Sequence, residues 1–373
     1  MSIKFVLKQY VKMFVQSVAL PIAYFIHRYK PIDEKLVIFA DAHHETMPYS
    51  MAYMYEELSK QDYKIETHIM NFATASFLET IKGMFFFMKR YARAKYVIIC
   101  DNYLPVASCN KRSETKVIQL WHACGAYKKF GYDTEDDIPK YYHGEVLKNV
   151  DMVTVSSKCC IPFYSSAMHL PPERFRACGV SRTDQFFDKK YIDGCKNRFY
   201  QMYPEAKGKK IILWAPTFRG NPGMPVLVGY DAIEEMAKEL GDDYYIIKKL
   251  HPHMEEKFPY SNCTISTEEL LPVADLLITD YSSIIFEYTI LKKPIVFFVP
   301  DYEQYTKKRG FYLDANDLPG EKVTDSEQLK DIVKNQFTDY DISKANHFYE
   351  KYMSACDGNA TKRIISLLLK EEL

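Results

Sequence analysis

Five short stretches of this 373-residue chain combine side chains that move protons or hold phosphate with residues that would present them at the end of a strand. The first is Gln119-Leu-Trp-His-Ala-Cys-Gly-Ala-Tyr-Lys-Lys-Phe-Gly131, in which the apolar run Val117–Trp121 leads into His122. Histidine ordinarily titrates near neutral pH, so at a strand end it is suited to take the proton of an attacking hydroxyl. Gly125 permits a tight turn, and Lys128 and Lys129 supply charge. The plainer alternative is a core histidine bonded to backbone. The second stretch is Lys249-Leu-His-Pro-His253, where His251 and His253 can donate N–H bonds to phosphate or ligate a metal. Two histidines without a third ligand at a familiar spacing make a poor metal site, so phosphate contact is the better reading and no metal is expected.

The third stretch, Thr279-Asp-Tyr-Ser-Ser-Ile-Ile-Phe-Glu-Tyr288, runs from an apolar strand through Asp280 to Ser282 or Ser283 as a helix cap. Free N–H groups at a helix start suit a pyrophosphate, and Glu287, about one turn on, can accept from a ribose hydroxyl. The fourth, Ala215-Pro-Thr-Phe-Arg-Gly220, contains Thr217 and Arg219, and the fifth, Lys307-Lys-Arg-Gly-Phe311, contains Arg309. Both arginines offer planar forks for phosphate oxygens. In open α/β sheets ligands bind beyond the carboxyl ends of the strands, which is why these positions stand out.

The elements that must carry them follow an α/β pattern. Short apolar runs at Leu36–Ala40, Ile65–Met70, Tyr96–Cys100, Val117–Trp121 and Met152–Ser156 alternate with helical periodicity at Met51–Leu58 and Phe77–Arg93. A second series runs through Lys209–Pro216, Tyr244–Leu250, Leu276–Asp280 and Pro294–Pro300, beyond a charged helical segment at Asp184–Tyr203. The expected architecture is two Rossmann-like domains facing across a cleft, spanning 31–190 and 191–341, with a C-terminal helical segment, 342–373, folding back on the first. Residues 1–30 read as an amphipathic helix with a basic stripe at Lys4, Lys8 and Lys12. The uncharged stretch after Lys12 is about fourteen residues long and contains Pro21, too short for a bilayer span, and no small-residue cleavage site follows it. A helix lying on an anionic membrane surface fits, with packing on its own domain as the alternative.

Lys plus Arg number 49 and so do Asp plus Glu, which argues against a dedicated nucleic-acid binder. Nine scattered cysteines without a CxxC pair fit a reducing compartment and no structural zinc.

Taken together, Trp121-His-Ala-Cys-Gly-Ala-Tyr-Lys-Lys-Phe-Gly131, Ala215-Pro-Thr-Phe-Arg219, His251-Pro252, Thr279-Asp-Tyr-Ser-Ser283 and Arg309-Gly310 resemble, in order, the motifs of the CDP-glycerol glycerophosphotransferase family of teichoic acid synthesis. The resemblance covers roughly residues 35 to 345, and the length is more similar to the primase-type members than to the polymerases. It implies a GT-B fold, a CDP-glycerol or CDP-ribitol donor with no further cofactor, an undecaprenyl-diphosphate-linked glycan acceptor and peripheral attachment to the cytoplasmic face of the membrane. By the same resemblance His122 matches the base and His251 the histidine near the donor phosphates. Thr217, Arg219, His253, Asp280, Ser282, Ser283, Glu287 and Arg309 fall on the donor side, and Gly125, Lys128 and Lys129 on the acceptor side. Ala123-Cys124-Gly125 departs from the Gly-Thr-Pro that many members carry, which bears on the alditol and acceptor. A nucleotide-sugar GT-B glycosyltransferase and a silent membrane-surface binding protein are the rival readings, and self-association is left open.

Overall fold

The computed structural model describes residues 10–11, 13–134, 145–221, 224–250, 254 and 257–369. The chain divides into two compact units: one of residues up to His122, Glu135–Asp184 and Ala355 onward, the other of Ala123–Thr134 and Gln185–Ser354.

In the first unit, strands β1 (Asp33–Asp41), β2 (Lys64–Ile69), β3 (Ala94–Ile99), β4 (Lys116–Gln119), β5 (Met152–Thr154) and β6 (Phe175–Arg176) pair in parallel in the order β2-β1-β3-β4-β5-β6. Parallel neighbours cannot be joined by a tight hairpin, so helices make the crossovers and cover the sheet. Helix α1 (Leu20–His27) precedes β1, α2 (Tyr49–Ser59) follows it, and α3 (Phe77–Tyr91) joins β2 to β3. Helix α2 and the terminal helix Ala360–Leu369 bury Met51, Met54, Leu58, Ile364 and Leu368 against Val37, Phe39, Ile98 and Ile118. Helix α3 starts on a reciprocal cap in which Ser76 Oγ accepts from the Glu79 N–H and the Glu79 carboxylate accepts from the Ser76 N–H. A π-helical turn, Val15–Ala19, feeds α1 just ahead of Pro21, whose missing N–H and bulky ring disturb the regular helical ladder. The lysine stripe expected at Lys4, Lys8 and Lys12 lies outside the described residues.

The second unit is a parallel sheet of β7 (Lys210–Ala215), β10 (Tyr244–Lys248), β11 (Leu276–Thr279), β12 (Ile295–Phe298) and β13 (Glu321–Val323) in the order β10-β7-β11-β12-β13, with a small antiparallel pair, β8 (Arg219–Asn221) and β9 (Met224–Val226). Its core sets Ile212, Trp214, Ile278 and Val296 against Ile233, Met236, Leu329 and Val333. Every strand expected from the apolar runs is present. The short strands β6, β8, β9 and β13 were not legible, because two or three residues carry no periodicity.

The expected domain limits shift. The first crossing between units comes at His122 and Ala123, and the later break falls between Asp184 and Gln185 rather than at 190/191. Helix Ile342–Tyr352 stays in the second unit, with the Phe348 ring 5.1 Å from that of Phe286, so the return begins at Ala355 and not at 342. The return is fixed by backbone bonding: the Ala355 N–H donates to Ser156 O at 2.9 Å, and buried Asp184 accepts from the N–H groups of Ala360 (3.0 Å) and Thr361 (2.7 Å). Burial raises the Asp184 carboxyl above its ordinary value even though those donors work to lower it.

Candidate active site

In the first unit the carboxyl ends of β1, β3 and β4 lie side by side, and each delivers ionisable side chains to the same edge. Asp41 ends β1 and is buried; its Oδ2 accepts from the backbone N–H groups of His43 and His44, both at 2.8 Å, and lies 2.9 Å from His44 Nδ1. Asp101 follows β3, and His122 follows β4. His122 Nδ1 sits 3.1 Å from Asp101 Oδ2, and His43 Nε2 lies 3.9 Å from Asp101 Oδ1. Burial pulls the Asp101 carboxyl up, but the hydrogen bond and charge of His122, and the charge of His43, outweigh it and hold the group below its ordinary value. An ionised carboxylate only accepts, so it fixes the proton on His122 Nδ1 and leaves Nε2 as the basic nitrogen. The His122 side chain is 49% exposed, so a substrate can reach it.

The backbone that aims His122 is unusual. Trp121 adopts φ +60°, a left-handed conformation that costs an L-residue with a bulky side chain about 1–3 kcal/mol and persists only where neighbours over-determine it. Those neighbours are present. Gln119 accepts from the Trp121 N–H (3.0 Å) and donates to Asp101 O (3.1 Å), and buried Arg182 donates through Nη1 to His122 O (2.7 Å) and Ser50 Oγ (2.9 Å). The Trp121 and His122 rings lie 4.3 Å apart. Sequence reasoning singled out His122 but not the Asp101, His43 and Arg182 that the fold places around it. The strand-end rule that picked out His122 applies equally to Asp101 after Tyr96–Cys100 and to His43 after Leu36–Ala40.

In the second unit, Asp280 at the end of β11 is almost fully buried. It accepts from Thr217 N–H (2.9 Å), Thr217 Oγ1 (2.8 Å), the Tyr281 N–H (2.6 Å) and Arg219 Nη1 (2.9 Å). Arg219 also donates from Nε and Nη2 to the two oxygens of Asp301, at 2.6 and 3.1 Å, and its guanidinium carbon lies 4.8 Å from the Tyr281 ring and 4.9 Å from that of Tyr305. Burial works against the charged guanidinium, yet Asp301 and Asp280 more than offset it and raise its pKa. Asp301 is held low: burial raises it, and the Arg219 hydrogen bond and charge prevail. The fork expected to meet phosphate is therefore engaged by two carboxylates, and its direct effect is to frame the loop carrying Thr217 and Tyr281.

The remaining expected positions are equally specific. Ser283 is the N-cap of helix Ile284–Ile290 without a side-chain cap bond, while Ser282 Oγ accepts from the Ile284 N–H at 3.4 Å. Glu287 is 4% exposed, inside that helix rather than on an open surface. Gly125 belongs to the second unit and does not take a positive φ; a Cβ there would overlap the Phe286 ring, so the glycine is needed for close approach rather than for a tight turn. Lys128 and Lys129 also lie in the second unit. The Lys129 N–H donates to Gly310 O (3.2 Å), Lys128 bridges Phe311, and Arg309 Nε donates to Lys129 O (3.2 Å), which knits the first and fifth stretches together. His251 and His253 lie outside the described residues. Among the described residues no group of three or more His, Cys, Asp or Glu is arranged to hold a metal ion, and the nine cysteines are unpaired by disulfides.

The model of the CDP-Glycerol:Poly(glycerophosphate) glycerophosphotransferase family matches residues 22–370. The chain belongs to this family. It is 31% identical over 362 residues to the teichoic acid poly(ribitol-phosphate) polymerase of Bacillus spizizenii, covering 93% of this chain but only 58% of that protein. It is 30% identical over 369 residues to the teichoic acid ribitol-phosphate primase of the same organism, covering 91% of this chain and 92% of the primase. Against the teichoic acid glycerol-phosphate primase of Bacillus subtilis it is 33% identical over 293 residues, 73% of each chain. The solved wall teichoic acid polymerase TagF superposes with a TM-score of 0.74 at 23% identity over 94% of this chain and 93% of that one, in agreement with a GT-B type fold. Among the described residues, no helix is long and apolar enough to cross a membrane.

Proposed function

We propose that this chain transfers an alditol phosphate, in the first instance glycerol phosphate from CDP-glycerol, to a hydroxyl of a lipid-linked glycan acceptor in teichoic acid or related polymer synthesis. The carrying observation is the His122–Asp101 pair at adjacent strand ends. His122 Nε2 takes the proton of the acceptor hydroxyl as its oxygen forms the new bond to the donor's β-phosphorus. The bond from that phosphorus to the bridging oxygen breaks, and CMP leaves with the electron pair. Asp101 holds the ring and offsets the charge gained by His122, as the carboxylate of a hydrolase triad does. The donor is assigned to the second unit, with the Thr217–Asp280 loop, the Ser282-Ser283 turn and Arg309 around its phosphates and His251 and His253 as further contacts. Phosphoryl transfer depends chiefly on positioning and on charge around the moving group, which these side chains supply without a further cofactor.

Ribitol phosphate is the second reading, favoured by the match to a ribitol-phosphate primase along almost the whole of both chains. The enzyme works at the cytoplasmic face of the membrane as a peripheral protein, as its lipid-linked acceptor requires. The test offers purified enzyme CDP-glycerol, CDP-ribitol and a UDP-sugar with a short-chain lipid-linked disaccharide, and reads products by mass. Added glycerol phosphate units support the first reading and added ribitol phosphate units the second. Sugar transfer, or no product with any donor, would sink both.

A further inference from the structure

We infer that His44, aimed by Asp41, binds a hydroxyl of the acceptor on the residue next to the one that reacts at His122. This rests on the reading that the acceptor meets His122 in the first unit, and it adds a side chain that recognises the acceptor there. The acceptor-side positions expected from sequence, Gly125, Lys128 and Lys129, fall in the second unit, so they assign no acceptor contact to the strand edge of the first.

The His44–Asp41 pair repeats the geometry of His122–Asp101 at the end of another strand. Asp41 ends β1 and is buried, and its Oδ2 lies 2.9 Å from His44 Nδ1, against 3.1 Å between Asp101 Oδ2 and His122 Nδ1. The carboxylate is itself held in place. Its Oδ2 accepts from the N–H groups of His43 and His44, and its Oδ1 accepts from the Cys100 thiol at 3.6 Å. Burial, and then the charges of Asp41 and Asp101, push that thiol up, so it stays a donor. The backbone is tied as well: the Met70 N–H donates to Asp41 O (3.1 Å) and the Phe72 N–H to Ala42 O (2.9 Å), which carries the β1–β2 pairing beyond the strands. The two N–H bonds already complete the turn. A further bond to an imidazole whose side chain is 49% exposed serves to aim the ring.

The tautomer selects the ligand. A carboxylate only accepts, so neutral His44 carries its proton on Nδ1 and presents a lone pair on Nε2. That nitrogen accepts from a hydroxyl and has no proton to give a phosphate oxygen. The carboxylates of Asp41, Asp101 and Glu45, the last accepting from Thr74 Oγ1 (3.3 Å), would also repel a phosphate. His43 lies between the two pairs, with its N–H on Asp41 and its Nε2 3.9 Å from Asp101 Oδ1, so imidazoles and carboxylates line this edge together. Spacing sets the length of the ligand. Strand β3 separates β1 from β4, and neighbouring strands lie about 4.8 Å apart, so the two strand ends are about 10 Å apart. One sugar ring or one alditol is too short to reach across, and the class that fits is a chain of at least two polyhydroxy residues.

The test compares the parent, His44→Ala and His44→Gln with a short-chain lipid-linked disaccharide. It reads acceptor KM and kcat at saturating CDP-alditol, and the Kd of the same disaccharide without donor by titration calorimetry. His44→Ala should raise acceptor KM and Kd about three- to tenfold, the strength of one hydrogen bond, with kcat, donor KM and Tm at parental values. His44→Gln, whose amide oxygen can stand near the place of Nε2, should recover part of the loss. A role confined to the fold of the turn would move Tm and leave acceptor KM and Kd unchanged. Parental KM and Kd in His44→Ala overturn the inference, and so does a fall in kcat at unchanged KM, which would make His44 a second proton acceptor. The proposed reaction fails separately, if the parent forms no product. Kd then still decides: the same three- to tenfold loss supports the inference, and equal binding by parent and His44→Ala, or no binding by the parent, overturns it.

Discussion

The two strand edges that carry the motifs hold their charges in opposite ways. At the edge of the first unit, His43, His44 and His122 are half exposed around two carboxylates, and His122 keeps one ring nitrogen available. At the edge of the second unit, Asp280 is buried, Arg219 and Asp301 are partly buried, and the three are bonded to one another, to Thr217 and to Tyr281. A group that must exchange a proton has to meet the substrate, while a group that sets a loop's shape does best when its partners are complete. Strand-end position alone does not separate these roles; the partners do.

Substitutions at His122, Arg219, Asp101 and Gly125 can break or sharpen that contrast. His122→Ala should lower turnover by about 10²–10⁴ with little change in melting temperature, read as CMP release with saturating donor. A parallel loss of stability would place His122 among framing residues instead. Arg219→Gln should act the other way and destabilise the fold by about 3–5 kcal/mol in urea unfolding, since it leaves the buried Asp280 and the partly buried Asp301 without their shared cation, and Arg219→Lys should rescue little because it lacks the planar fork. Asp301 has a lowered folded pKa, so its share of stability is present above the ordinary carboxylate value and is lost as pH falls through the folded one. The gap between parent and Arg219→Gln should therefore narrow with acid.

Asp101→Asn should cost turnover roughly ten- to a hundredfold, because an amide no longer selects the Nδ1–H form of His122 and a misplaced base is a poor one. Asp101 is also held low, so any extra stability of the parent should appear above the ordinary carboxylate range and fade below it, seen by comparing melts across acid pH. Gly125→Ala should destabilise by about 1–3 kcal/mol through overlap with Phe286, and Phe286→Leu in the same chain should restore part of it. A Gly125→Ala variant as stable as the parent would mean that the segment has room to move.

Much of this enzyme was legible in its residues. Apolar runs bounded by polar turns marked nine of the parallel strands, because burial on both faces of a sheet leaves a continuous local signature. The order of the five motifs pointed to the family, and the strand-end rule singled out His122. What stayed hidden depends on contacts between distant parts of the chain. Asp101 meets His122 only because β3 and β4 are neighbours, and His43 joins them because β1 lies on the other side of β3. The composition around Arg219 reads as a free cation until the fold brings Asp280 and Asp301 to it. The stretch Trp121–Gly131 reads as one motif, yet the fold divides it after His122, leaving the histidine in one unit and Gly125, Lys128 and Lys129 in the other. Sequence alone determined which residues stand at strand ends, since periodicity is a local property. Tertiary structure decided which of them are free to react, since that depends on how many partners each charge finds when the sheets assemble.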